Sequence, residues 1–265
     1  MKETMQETRG KLLLFGGTSE EHFLIKKLAP YPVAITLCVV SQYGRDLLPQ
    51  DSHKLKVYVG SLDRKQMKEL MAREGFFCVV DATHPYAVEV TENLKEAATE
   101  TGIPYLRLLR ERSCIEDCIP VNSLKQAAEV LNRLEGAALI TTGSKDLKPF
   151  TEVCGYRERL YLRVLPTVEA IKACLAFGFL PSHIIAIQGP FSKELNLALM
   201  QQFNIKVLVT KDGGSPGGFF EKAQAARELG AHVIVLRRPD EEGFSTTEIL
   251  YKIFQLLEET LSEEQ

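Results

Sequence analysis

The chain has no tryptophan, and across its 265 residues acidic side chains outnumber basic ones, 35 to 32. A formal charge of −3 supplies no basic excess, which argues against a nucleic-acid or anionic-membrane surface. There is no disulfide framework and no zinc pattern. Cys38, Cys78, Cys114, Cys118, Cys154 and Cys174 are scattered, only Cys114 and Cys118 lie close together, and no histidine or second cysteine pair completes a metal site. They read as reduced thiols of a cytoplasmic protein. No apolar run approaches the about 20 residues of a membrane span, and Met1–Lys11 is polar and charged, unlike a secretory leader. The full Gly-x-Gly-x-x-Gly fingerprint, the P-loop Gly-Lys-Ser/Thr, the Tyr-x-x-x-Lys pair of short-chain dehydrogenases and the His-Glu-x-x-His zinc helix are all missing. ATP chemistry of the P-loop kind and zinc hydrolysis lose their support.

What is present is ordinary globular composition, 45% apolar and 25% charged, enough to bury a substantial core. Short apolar runs alternate with helix-period segments. Strands are expected at Lys11–Gly16, Val33–Val40, Leu55–Val59, Phe76–Val80 and Ile103–Leu108. The helices between them are Ser19–Leu28, Arg64–Arg73 behind an Asp63 cap, and Glu89–Glu100. Glu111–Pro120 breaks the rhythm with charges, two cysteines and a proline, and reads as a connector. Strands then recur at Ala137–Thr142, Arg159–Leu165, Ile184–Ile187, Val207–Thr210 and His232–Leu236, and a closing helix spans Thr246–Leu261. This βαβ repetition implies an α/β fold of two Rossmann-like parallel-sheet domains, residues 1–113 and 114–265.

Chemistry in such sheets sits outside the carboxyl ends of the strands. The first strand runs straight into Gly16-Gly17-Thr18-Ser19 and a helix. Glycines let the backbone approach a phosphate, and the helix N-terminus favours an anion; a plain tight turn with Ser19 as helix cap fits the same residues. An NAD site wants an acidic residue about 20 residues on, at the end of the second strand. This chain has Ser41-Gln42-Tyr43-Gly44-Arg45 there, which suits a 2′-phosphate and points to NADP(H); a solvated surface charge is the other reading of Arg45. Other strands end in Asp81-Ala82-Thr83-His84-Pro85-Tyr86, Thr141-Thr142-Gly143-Ser144-Lys145, Gln188-Gly189-Pro190-Phe191, and Thr210-Lys211-Asp212-Gly213-Gly214. His84 is a candidate proton donor or substrate hydrogen-bond partner, or a histidine fixed by Asp81 or a backbone carbonyl. Lys145 and Lys211 could bind carboxylates or a pyrophosphate, or stand solvated. The run Gly213–Gly218 is either a mobile lid or a flexible turn.

Jointly these loops resemble the precorrin-6A reductases of cobalamin biosynthesis. The resemblance rests on Leu-Phe-Gly-Gly-Thr-Ser-Glu at 14–20, Ser-Gln-Tyr-Gly at 41–44, Gly-Ser-Leu-Asp at 60–63 and Asp-Ala-Thr-His-Pro-Tyr-Ala at 81–87. Further motifs are Gly-Ile-Pro-Tyr-Leu-Arg at 102–107, Thr-Gly-Ser-Lys at 142–145, Gln-Gly-Pro-Phe-Ser at 188–192 and Thr-Lys-Asp-Gly-Gly at 210–214. Glu21-His22 departs from the smaller residues expected after Glu20. The resemblance implies reduction of one macrocycle double bond of precorrin-6A or its cobalt form by NADPH, with cofactor and substrate in a cleft between two Rossmann-like domains. It implies cofactor contacts from Gly16, Gly17, Thr18, Ser19, Ser41, Tyr43, Gly44, Arg45, Gly60, Thr83, Thr142, Gly143 and Ser144. The carboxylate-rich macrocycle would meet Tyr86, Arg107, Lys145, Gln188, Gly189, Lys211, Gly213 and Gly214, with His84 or a water giving the proton. The expected partners are the tetrapyrrole and, transiently, neighbouring pathway enzymes; no metal, nucleic acid or membrane is expected. Two other readings are a reductase of another small unsaturated substrate and a dinucleotide-sensing module without chemistry.

Overall fold

The computed structural model describes residues 8–16, 19–40, 54–109, 117–214 and 217–263, with only the backbone of Ser19, Glu20 and Glu263. The chain forms two compact units, residues 1–111 with 239–265, and residues 112–238. In the first unit five strands pair in parallel: β1 (Gly10–Phe15), β2 (Val33–Val39), β3 (Leu55–Val59), β4 (Cys78–Asp81) and β5 (Tyr105–Arg107). The spatial order is β3-β2-β1-β4-β5, so the chain reverses direction of winding between β1 and β4. Helices α1 (Ser19–Leu28), α2 (Arg64–Glu74) and α3 (Val88–Thr101) connect the strands. A sheet covered on both faces needs apolar residues at every strand position, and β1 supplies them. Leu12 and Leu14 join one core with Leu24, Leu37 and Val80. Leu13 and Phe15 join the other with Met67, Val79 and Leu94, as the alternation of side chains along a strand requires. Asp63 caps α2 as expected, accepting from Gln66 N–H while the Gln66 side chain accepts from Asp63 N–H.

Two expectations need correction. The domain division placed everything after residue 113 in the second domain, yet the closing helix α9 (Thr246–Glu263) packs on the first sheet. Ile249, Ile253 and Leu257 are buried in the core of Leu12 and Leu14, and Phe244 bridges to Leu108 beside β5. The amphipathic face of a final helix takes whichever sheet lacks a cover, and chain order does not reveal which. The connector, in turn, contains a strand, β6 (Ile119–Val121).

The second unit is a six-stranded parallel sheet in the order β6-β11-β10-β7-β8-β9. Its strands are β6, β7 (Ala137–Ile140), β8 (Leu160–Val164), β9 (Ile184–Ala186), β10 (Ile205–Lys211) and β11 (His232–Leu236). Pro120 sits on the edge strand, where a missing N–H breaks no ladder. Helices α4 (Leu124–Leu131), α5 (Tyr156–Arg159), α6 (Val168–Ala176), α7 (Lys193–Gln202) and α8 (Phe219–Glu228) complete it. Ser123, Thr167 and Ser192 cap α4, α6 and α7 by accepting backbone N–H bonds. No helix among the described residues is long and apolar enough to cross a membrane.

Candidate functional site

At the carboxyl end of the first sheet, on the β2–β3 side of the winding reversal, lies a cavity of about 210 Å³. Gly16, Val39, Val40, Gly60, Ser61, Thr83 and His84 line it, together with the apolar Phe15, Cys38 and Leu62. Parallel strands deliver these residues to one level because Phe15 pairs with Cys38 on one side and with Asp81 on the other. Gly16 N–H donates to Cys38 O, 3.1 Å away. A Cβ on Gly16 would stand 2.8 Å from the Glu21 side chain, so only glycine lets β1 turn over that buried glutamate. Gly60, also in the lining and at φ +137°, has nothing within 4 Å of its Cβ position. Burial pushes the Cys38 thiol up to about 12, so Cys38 stays an uncharged apolar surface. No carboxylate lines this cavity among the described residues.

Behind the cavity Asp81 is fully buried and gathers the loop around itself. Its Oδ1 accepts from Thr83 N–H (2.9 Å), Thr83 Oγ1 (2.6 Å) and Arg107 Nη1 (2.9 Å). Its Oδ2 accepts from Thr91 Oγ1 at 2.8 Å and the Tyr105 hydroxyl at 2.9 Å. Burial and then the Asp81 charge push the Tyr105 phenol far up, so it remains a donor. Arg107 is 3% exposed; its Nη1 also reaches Thr83 O at 3.0 Å, and its Nε donates to Glu241 at 2.9 Å. Each carboxylate is thereby satisfied, which buried charges require. His84 follows, its Nδ1 accepting from Tyr86 N–H at 3.3 Å.

In the second unit a cavity of about 310 Å³ lies at the carboxyl ends of β7, β8 and β9, beside the start of α8. Gly143, Arg163, Gly189, Phe191, Asn196, Gly217, Gly218 and Lys222 are among its lining. The neighbouring loop after β10 is pinned by Arg238, which donates to Asp212 O at 2.8 Å and to Asp212 Oδ1 at 3.1 Å. Gly213 N–H donates to Lys211 O, and Gly217 N–H to Gly214 O. Burial lowers the pKa of Lys211, opposed by Asp146 and helped by the charge of Lys145. Among the described residues no cluster of His, Cys, Asp or Glu is arranged to hold a metal.

Against known proteins, the model of the "Precorrin-6x reductase CbiJ/CobK" family matches residues 11–255. The chain belongs to the precorrin-6x reductase family. It is 36% identical to a cobalt-precorrin-6A reductase of Methanothermobacter thermautotrophicus, over 89% of this chain and 78% of that one. It is 36% identical to another from Priestia megaterium, over 86% and 90%. The solved structure titled "CobK precorrin-6A reductase" superposes with a TM-score of 0.74 at 22% identity, over 93% and 97%, which confirms the fold of two parallel-sheet units.

Within this precorrin-6x reductase fold the structure brings Gly16, Gly60, Thr83 and His84 into the cavity of the first unit and Gly143 and Gly189 into the separate cavity of the second. Thr142 is buried, Ser144, Tyr86, Gln188 and Lys211 are half-buried, Lys145 is exposed, and Gly213 and Gly214 are buried. Gly17, Thr18, Ser41, Tyr43, Gly44 and Arg45 lie outside the described residues, and Ser19 is described by backbone alone. The expected role of Arg107 on substrate carboxylates is corrected: all three of its nitrogens are engaged by Asp81, Thr83 and Glu241, so it positions the Asp81 loop. Three residues escaped the sequence reading: Glu241, Arg163 and Lys222. For Arg163 a signal existed, a lone cation inside the apolar strand run Leu160-Tyr161-Leu162-Arg163-Val164.

Proposed function

We propose that this chain reduces one macrocycle double bond of cobalt-precorrin-6A, or of metal-free precorrin-6A, with NADPH in cobalamin biosynthesis. The family match across residues 11–255, spanning both sheets, carries the reading. The names of the two relatives favour the cobalt form. The first cavity fits a dinucleotide: glycines in its lining for close backbone approach, apolar side chains for a flat ring, and no described carboxylate to repel a 2′-phosphate. When bound, NADPH supplies the hydride, and a solvent-derived proton completes the dihydro product. Gly16 and the Gly17-Thr18 segment after it hold phosphate, while Ser41 and Arg45 take the adenosine end. The protein's contribution is orientation and exclusion of water, and the Asp81 hub serves it by fixing Thr83 and His84 in the wall.

His84 shares its cavity with the ends of β2 and β3, the side where a second strand reads the adenosine ribose. That placement favours a role in seating the cofactor over proton donation. His84→Ala should then raise the KM for NADPH several-fold with kcat little changed. A kcat loss of about 100-fold or more at unchanged KM, the size expected of a general acid, would return it to proton donation. The reading as a whole is tested by anaerobic NADPH oxidation with cobalt-precorrin-6A and precorrin-6A side by side. Turnover of one or both is expected; turnover of neither would sink the assignment.

A further inference from the structure

Strand β8 lies inside a parallel sheet, and its arginine is buried apart from the face it turns to a cavity. Arg163 is 9% exposed, lies 4.7 Å over the Phe191 ring and donates from Nη1 to Asn196 Oδ1 at 2.7 Å. Asn196 is held in that orientation because its amide nitrogen donates to Phe191 O and Ser192 O. No carboxylate forms an ion pair with Arg163 among the described residues. Lys222, one turn into α8, is 8% exposed, and its ammonium has neither a hydrogen bond nor an ion pair among the described residues. Both face the same cavity. Burial pushes Arg163 down to about 10; burial and then the charge of Arg163 push Lys222 down to about 8, against the pull of Glu221. Glu221 is the nearby acid, and its Oε2 is itself buried without a hydrogen-bond partner.

Two buried cations that repel each other across a cavity are costly unless something anionic joins them. The rest of the wall suits an anion. Gly143 and Gly217 present open backbone, with nothing within 4 Å of either Cβ position. Gly218 begins α8 without a side-chain cap; Phe219 N–H donates to Gly214 O, no side chain caps the other first-turn N–H groups, and the dipole favours negative charge. We propose that this cavity is an oxyanion site in which Arg163 and Lys222 together grip one carboxylate or phosphate group. Resting on the reductase reading, the occupant is a carboxylate arm of the macrocycle; the other source of the same chemistry is a phosphate of the dinucleotide. Asn196 and Phe191 are positioning residues that hold the guanidinium in plane.

The test uses the full chain and Lys222→Met, which keeps the volume and removes the charge, with Lys222→Arg as the conservative control. In thermal unfolding at matched ionic strength, wild type should melt higher in inorganic phosphate than in chloride. Lys222→Met should melt above wild type in chloride, because the repulsion is gone, and should lose the phosphate response. In steady-state assays Lys222→Met should raise the KM for the tetrapyrrole by about tenfold to a hundredfold, the range of one charge-assisted hydrogen bond. The KM for NADPH should hold, and Lys222→Arg should recover most of the loss. A rise in the NADPH KM in place of the tetrapyrrole KM supports the oxyanion site and assigns it to phosphate. A folded Lys222→Met with both KM values and the phosphate response intact would overturn the proposal. If wild type turns over neither macrocycle, the reductase reading fails, and the phosphate arm alone decides this site.

Discussion

Two arginines stand at the carboxyl ends of the two parallel sheets, both buried and surrounded in opposite ways. Arg107, on β5, has Asp81 and Glu241 against its guanidinium, each at 2.9 Å. Arg163, on β8, has an amide, an aromatic face and a lysine. Burial costs both charges the same kind of desolvation, so the difference lies in what offsets it. In the first unit the protein supplies its own counter-charges, and the arginine becomes scaffold for the Thr83–His84 loop. In the second the nearby Glu221 only partly offsets the charge of Lys222 and no described carboxylate pairs with Arg163, which leaves the rest to a ligand. The lesson is that burial of a charge does not mark a functional site; an unmet charge beside a cavity does.

The sharpest way to break this contrast is to truncate the paired arginine. Arg107→Leu leaves Asp81 and Glu241 without their cation, and breaking a buried pair from one side costs about 3–5 kcal/mol. Urea unfolding should show that loss, with the Thr83–His84 wall disturbed and the NADPH KM raised in whatever fraction stays folded. A loss under about 1 kcal/mol would mean that Arg107 is no more structural than Arg163, and the contrast would fall.

The two arginines also show what the sequence could and could not convey. Strand and helix existence was legible because buried parallel strands must be apolar throughout: Ser19–Leu28 and His232–Leu236 fall where the pattern put them. β6 was not legible, since three residues containing a proline carry no periodicity and become a strand only by pairing with β11. The closing helix displayed its apolar face but not its destination. The strand-end loops were readable as site material, and Gly16, Gly60, Thr83 and His84 do converge. The wiring behind them was not: Asp81 and Arg107 are 26 positions apart, and nothing local says that they meet. Arg163 and Lys222 were passed over because a cation in a sequence is by default a solvated one.

Next in size is a pH dependence belonging to the unpaired side. Lys222 falls from 10.5 to about 8 in the folded chain. Between those values the unfolded chain binds more protons, so stability rises with pH, by about 3 kcal/mol across the window. Below about pH 8 both states are protonated and the penalty is constant. Lys222→Met should flatten that rise in unfolding free energy measured from pH 7.5 to 10.5, with Arg163 and Glu221 left as the charges facing the position. Ligand binding has the opposite sign: Lys222 loses its charge as pH rises through about 8, so the tetrapyrrole KM should climb there. Equal slopes for wild type and variant would show that Lys222 is already compensated.

The smallest effect compares glycines. A Cβ on Gly16 meets the buried Glu21 side chain at 2.8 Å, whereas one on Gly217 meets nothing within 4 Å. Overpacking a closed site costs about 1–3 kcal/mol, and an added methyl in open space changes stability by no more than about 0.5 kcal/mol. Gly16→Ala should therefore lower the denaturation midpoint and, on the proposed cofactor site, weaken NADPH together, since the added methyl would press on the Glu21 side chain beside Gly16. Gly217→Ala should leave the midpoint unchanged and act only on whatever enters the second cavity, as a modest rise in the KM of its occupant. The pair separates a rim held tight by the protein itself from one kept open for a ligand. A reversed pattern, with Gly217→Ala destabilising and Gly16→Ala silent, would exchange the roles of the two rims.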